Sequence, residues 1–172
     1  MTLHAITVLG HDRPGIIADA TGALAGLGLN LEDSTMTLLR GQFAMMLLCA
    51  GDASADAIRD ALAPLTADGA LGVEVREVAA EEPAAAAGPS YVLTVHGGDR
   101  PGIVSSVVGA VAAAGGNITD LTTRLAGALY LLVAEVDVPS SVDPDALATS
   151  LRAVGADLGV EVSLRAVESD DL

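Results

Sequence analysis

The sequence has 172 residues, enough for one ordinary domain or two small ones, and half of them are apolar. Its net charge is −15 and all eight basic residues are arginines, so lysine chemistry is excluded and no basic face is left for nucleic acid or an anionic membrane. Cys49 is the only cysteine, which excludes an intramolecular disulfide and a thiolate-held metal; neither a metal nor a cofactor is expected.

In chain order, Ile6 and Val8 alternate with Thr7 and predict a first strand. His11 to Ile17 then reads HDRPGII. Pro14 suits the first turn of a helix, and Asp12 stands where a carboxylate caps free N–H groups. Ile16, Ala20, Leu24 and Leu27 recur at helical spacing, and Gly28 marks the exit, where a positive φ is needed. A hairpin follows, from Thr35 to Leu39 through Arg40-Gly41 to Phe43 to Ala50. A second helix starts at Ser54 with Ile58, Leu62 and Leu65 as its stripe, and Val73, Val75 and Val78 belong to a last strand.

The same order returns 87 residues later. GDRPGIV at Gly98 to Val104 repeats the Asp-Arg-Pro-Gly-Ile turn. Gly28, Asn30, Asp33, Thr35 and Leu38 match Gly115, Asn117, Asp120, Thr122 and Leu125, and LGVEV occurs at both Leu71 and Leu158. Tyr91, Leu93 and Val95 form the strand, and Asp99 and Pro101 repeat the turn. Ile103, Val107, Val111 and Ala114 make the helix stripe, and Ala126-Gly127 turns into Leu129 to Val136. Asp143-Pro144 opens a helix with Leu147, Leu151 and Val154 inward, and Val160, Val162 and Leu164 close the copy. Motifs spread along both halves mark a tandem duplication.

AAEEPAAAAGP, Ala79 to Pro89, has a linker's composition. The expected organisation is a first domain at 1–79, a linker at 80–89, a second domain at 90–168 and an acidic tail at 169–172. Strand, helix, strand, strand, helix, strand, twice over, predicts an α+β chain of two tandem ferredoxin-like βαββαβ domains. Each is a four-stranded antiparallel sheet with two helices on one face. The third strand of each copy is apolar on both faces: Phe43, Met45 and Leu47 against Met46 and Leu48, and Leu129, Leu131 and Val133 against Tyr130 and Leu132. An uncovered apolar face predicts that the copies pack together or that the chain forms a homodimer.

Composition removes several users of this fold. RNA-recognition modules need exposed aromatics and basic surroundings, and iron–sulfur or copper carriers need cysteines. GALAGLG lies within and at the end of a helix pattern, not at a phosphate turn after a strand. His4, His11 and His96 do not recur at the 87-residue offset and read as structural, and Cys49 reads as core. What remains is the doubled turn, with Gly-x-Asn ending fifteen residues after Gly15 and after Gly102. This constellation resembles the ligand loop of ACT domains, small regulatory modules that bind amino acids. The resemblance covers nearly the whole chain outside the linker and tail. The first half further resembles the glycine cleavage system transcriptional repressors, which are tandem ACT proteins. It shares their Gly-x-Asp-Arg-Pro-Gly-Ile turn, the NLEDS strand entry and the short Gly-Gln-Phe hairpin.

The residues themselves suit a zwitterion. N–H groups at the helix start, around Gly15 and Ile16 or Gly102 and Ile103, suit a carboxylate, and glycine there lets a ligand approach the backbone. Asp12 or Asp99 is placed for an ammonium, and Asn30 or Asn117 for either group, unless the carboxamide only closes its own turn. Arg13 and Arg100 complete the candidate set, as surface or carboxylate-paired groups.

The resemblance implies no catalytic residue and an amino-acid effector, glycine or a related small amino acid. It places the ligand at an interface, with the loop of one domain facing the Asn of a partner. It implies a non-enzymatic regulator that acts through a protein partner, a transcription factor or an enzyme, without gripping DNA itself. The first residues carry no basic run, and no apolar segment reaches the ~18 residues of a membrane-crossing helix, so a cytoplasmic protein is expected. Two other readings stay open. Acylphosphatases share the fold, and Arg13 with Asn30 would stand for their phosphate-holding pair. Alternatively, the chain is a pairing scaffold that no longer binds ligand.

Overall fold

The computed structural model describes residues 1–79 and 88–167. The expected tail at 169–172 and most of the expected linker at 80–89 lie outside the described residues. The chain divides into two compact units, Met1–Glu82 and Pro83–Leu172.

In the first unit the chain runs β1 (Thr2–His11), α1 (Ile16–Gly26), β2 (Asn30–Leu39), β3 (Gln42–Gly51), α2 (Ala55–Thr66) and β4 (Leu71–Val78). Its sheet has the order β2-β3-β1-β4, with every neighbouring pair antiparallel. The second unit runs β5 (Ser90–Gly98), α3 (Ile103–Ala113), β6 (Asn117–Ala126), β7 (Leu129–Asp137), α4 (Pro144–Leu158) and β8 (Val160–Ala166), with sheet order β6-β7-β5-β8. Both are the expected α+β, ferredoxin-like arrangement.

Period-two alternation builds the strands. Ile6 and Val8 are fully buried while Thr7 between them is exposed. In β3, Phe43, Met45 and Leu47 join the core, and in β5, Leu93 and Val95 do the same. The helix stripes meet these faces: Ile16, Ala20 and Leu24 from α1, Ile58, Leu62 and Leu65 from α2, and Ile103, Val107 and Val111 from α3. In α4, Leu147 and Leu151 are buried as expected, but Gly155 takes the third buried position and Val154 is half-buried. A Cβ at Gly155 would come within 2.6 Å of Val162 Cγ2, so only glycine lets α4 sit this close to β8.

Local chemistry sets the ends. Ser54 Oγ accepts from the Ala57 N–H at 3.2 Å, and the Asp143 carboxylate accepts from the Asp145 N–H at 3.0 Å with Pro144 opening α4. Gly28 and Gly115 leave α1 and α3 at φ 73° and 79°. Arg40 and Gly41 take φ 50° and 82°, the two-residue hairpin turn that matches strand twist.

Two boundaries differ from the sequence expectation. The second hairpin turns at Gly127-Ala128, one residue later than Ala126-Gly127, because Ala126 stays in the ladder opposite Leu129. The helices after the Pro-Gly turns begin at Ile16 and Ile103, not at the prolines. Gly15 and Gly102 adopt left-handed backbone, and a right-handed helix starts only after them.

The outward faces of β3 and β7 stay apolar, with Met46, Leu129, Leu131 and Val133 exposed. His4 is fully buried opposite Cys49, and neither of its ring nitrogens has a hydrogen-bond partner among the described residues.

Candidate ligand site at the strand-to-helix turns

The turn after β1 is anchored by the main chain. His11 N–H donates to Ala70 C=O at 3.0 Å, and Asp12 N–H donates to Gly41 C=O at 2.9 Å. The chain then passes Pro14 and enters Gly15 at φ 94° and ψ −11°, whose carbonyl accepts from Asp19 N–H at 2.8 Å. The second unit repeats the construction. Asp99 N–H reaches Ala128 C=O at 3.4 Å, Gly102 takes φ 94° and ψ −7°, and its carbonyl accepts from Ser106 N–H at 3.0 Å.

Asp12 and Asp99 do not act as the expected helix caps. The cap positions are Gly15 and Gly102, and no side chain caps either helix. The physical reason is the tether: each aspartate is held back on its hairpin turn, four residues before the first helical residue, with a left-handed glycine in between. The first-turn amides of α1 and α3 thus lack a side-chain acceptor among the described residues, and the aspartates beside them are exposed. Free N–H groups at a positive helix end, next to a free carboxylate, are the polar complement of a carboxylate and an ammonium held at short range.

The two arginines are not equivalent. Arg13 Nη1 pairs with Asp19 Oδ2 at 3.4 Å and lies the same distance from Pro14 C=O. The Arg100 guanidinium lies over Gly159 at the end of α4, where an added Cβ would come within 3.3 Å of its Nη1. A cation at that helix end meets the negative end of the macrodipole.

The asparagines are elsewhere. Asn30 opens β2 opposite Ala50, whereas the Asp12 tether reaches the other end of the hairpin, next to the Leu39–Gln42 pair. Asn30 and Leu39 are nine residue steps apart along β2, about 30 Å at ~3.3 Å per step. Asn117 stands in the same relation to the Gly127-Ala128 turn. Within one unit, therefore, the structure brings together Asp12, Arg13, Gly15 and Ile16, or Asp99, Arg100, Gly102 and Ile103, and leaves the carboxamide at the far end. It also leaves Arg13 and Asn30 apart, so one unit does not form the acylphosphatase-like pair. Both carboxamides are exposed at the start of an open edge strand. Every residue of β2 is exposed.

A hollow of about 380 Å³ opens between the first turn and β2. Asp12 and Gly15 line its polar end, and Ile17, Met36, Leu38 and Phe43 its apolar wall. Sequence reasoning missed that wall. The available signal was the Thr-Met-Thr-Leu alternation at 35–38, which puts Met36 and Leu38 on the helix side of an edge strand. Further along the crevice, a groove of about 510 Å³ is lined by Thr21, Leu29, Leu31 and Cys49 among others. Burial pushes the Cys49 thiol up from its ordinary range, and the negative charge of Glu32 adds to the rise. Among the described residues, no group of three or more His, Cys, Asp or Glu could hold a metal ion, and no helix is long and apolar enough to cross a membrane.

Comparison with known proteins gives several relatives, three of which follow. A UPF0237 protein of Methanopyrus kandleri is 41% identical over 78 residues, 44% of this chain and 84% of that protein. The glycine cleavage system transcriptional repressor of Escherichia coli is 28% identical over an alignment covering 94% of this chain and 88% of its own. The crystal structure of an unknown protein from Galdieria sulphuraria has a TM-score of 0.81 and 31% identity, covering 96% of this chain and 98% of that one. The ACT domain model matches twice, at residues 3–76 and 90–165, and each match contains one complete strand-to-helix turn and its asparagine. The chain belongs to the ACT domain family, with two copies of the domain in tandem.

Proposed function

We propose that this chain is an amino-acid-sensing regulatory protein of the cytoplasm, without enzymatic activity of its own, that acts by binding a protein partner, a transcription factor or an enzyme. The observation that carries the reading is the doubled turn. Two segments 87 residues apart hold a glycine at φ 94°, leave the helix amides uncapped, and set an exposed aspartate beside them. The glycine cleavage system transcriptional repressor of Escherichia coli, similar over nearly the whole chain, supports the regulatory role and makes glycine and its small relatives the first ligands to try.

The distance between Asp12 and Asn30 supports a site shared between two copies of the chain. If the open edge β2 pairs antiparallel with the β2 of a second copy about a two-fold axis at Thr35, Asn30 of one copy lies opposite Arg40 of the other. Arg40 belongs to the turn on which Asp12 is tethered. One amino acid then bridges two copies: main-chain amides and Asp12 from one, the carboxamide from the other. Its binding free energy favours the paired state, which is the differential interaction that a regulatory switch needs.

The test is calorimetric titration of the whole chain with a panel of amino acids. The expected result is saturable binding of at least one, lost from the calorimetric signal in Asp12→Ala and in Asn30→Ala when Asp99→Ala silences the second unit. Absence of heat with every amino acid overturns it.

A further inference from the structure

We infer that the turn of the first unit selects an amino acid with an apolar side chain over glycine. This rests on the sensor reading above and ranks glycine, a first ligand to try there, below larger apolar amino acids.

The groups placed for the ligand's ammonium and carboxylate are main-chain amides, Asp12 and the Asn30 carboxamide of a second copy, which every amino acid satisfies equally. Selectivity therefore resides in what lies beyond them. Beyond them is an apolar wall from three elements: Ile17 of α1, Met36 and Leu38 of β2, and Phe43 of β3. Ile17 is 45% exposed, Met36 45% and Leu38 48%. Three large apolar side chains thus stand half in water around one hollow, over a floor made by the chain's only phenylalanine, which is buried. The one basic group lining the hollow, Arg13, pairs with Asp19 at 3.4 Å. Glycine leaves this wall in water. A leucine or methionine side chain covers it and gains the transfer of its own methylenes as well.

The second unit keeps the same turn behind a different wall. It keeps the turn, with the same φ of 94°, but the positions 87 residues on from Met36 and Phe43 are Thr123 and Tyr130. Two copies that share the backbone device and differ in the hydroxyls of the wall are built to hold the same ammonium and carboxylate with different side chains.

The experiment is calorimetric titration of the whole chain carrying Asp99→Ala, with leucine, methionine and glycine as probes. Leucine and methionine are expected to bind about 10- to 100-fold tighter than glycine. Met36→Thr, an exposed substitution that copies the second unit, is expected to reduce the leucine-to-glycine affinity ratio at least threefold. Glycine binding as tightly as leucine, or a ratio unmoved by Met36→Thr, overturns this inference while leaving the sensor reading standing. Silence with every amino acid overturns both.

Discussion

Asp12 N–H is bonded to Gly41 C=O at 2.9 Å, which fixes the first strand-to-helix turn on the tip of the β2–β3 hairpin, the end of β2 farthest from Asn30. Beyond this anchor the chain turns into α1 through Gly15, whose φ of 94° strains any residue with a Cβ. Replacing Gly15 with Ala meets no crowding, since the nearest atom to the new Cβ is Asp19 Oδ2 at 3.7 Å. The loss is backbone strain alone, about 1–2 kcal/mol, and Gly15→Asn should lose less because Asn tolerates left-handed backbone. Urea denaturation of the two variants checks the order.

Two helix glycines give opposite signs. Gly109 in α3 faces open space, and Gly109→Ala should raise stability by about 0.5–1 kcal/mol through helix propensity. Gly155 in α4 abuts Val162 and the Val160 carbonyl, and Gly155→Ala should lower stability by about 1–3 kcal/mol despite the same propensity gain. Thermal unfolding of both variants decides the matter.

His4 is buried, with both ring nitrogens unpartnered among the described residues. An unsatisfied polar group in a core forfeits about 1–3 kcal/mol of hydration. His4→Leu, which puts an apolar side chain of comparable size among Ile6, Leu47 and Cys49 and their neighbours, should therefore stabilise the first unit by about 1 kcal/mol. A denaturation midpoint below that of the parent chain would contradict this.

Cys49 holds its proton more tightly folded than unfolded, because burial and then the Glu32 charge oppose the thiolate. An acid whose folded pKa is raised contributes stability that is present below its unfolded value, about 8.5, and declines as pH rises past it. The parent chain should thus lose stability from about pH 8.5 upward more steeply than Cys49→Ala. A thiol-specific disulfide reagent at pH 8 should label native Cys49 far more slowly than the urea-unfolded chain.

The 87-residue repeat made the fold readable from the sequence, because each element could be checked against its copy. Val8, Leu24, Leu62 and Leu151 all lie where periodicity placed them. What periodicity could not supply was the conformation of one residue. Pro14-Gly15 resembles a helix start, and only the left-handed φ of Gly15 shows that the helix begins later and that Asp12 is left uncommitted. Likewise, Asp12 and Asn30 are eighteen residues apart in sequence, which says nothing of the extended strand between them. The Met36 and Leu38 wall went unnoticed for a similar reason, since an edge strand's inner face becomes a pocket only where no helix covers it.

The most direct test of a site shared between copies mixes two chains that cannot bind alone. One carries Asp12→Ala, the other Asn30→Ala, and both carry Asp99→Ala to silence the second unit, with Asp99→Ala alone as the binding-competent parent. In a two-fold dimer of the mixed chains, one site receives both lesions and the other receives neither. The account predicts that equimolar mixing restores amino-acid binding by calorimetry to about a quarter of a site per chain, while each variant by itself stays silent. A mixture as silent as its components, with the parent binding normally, would contradict it.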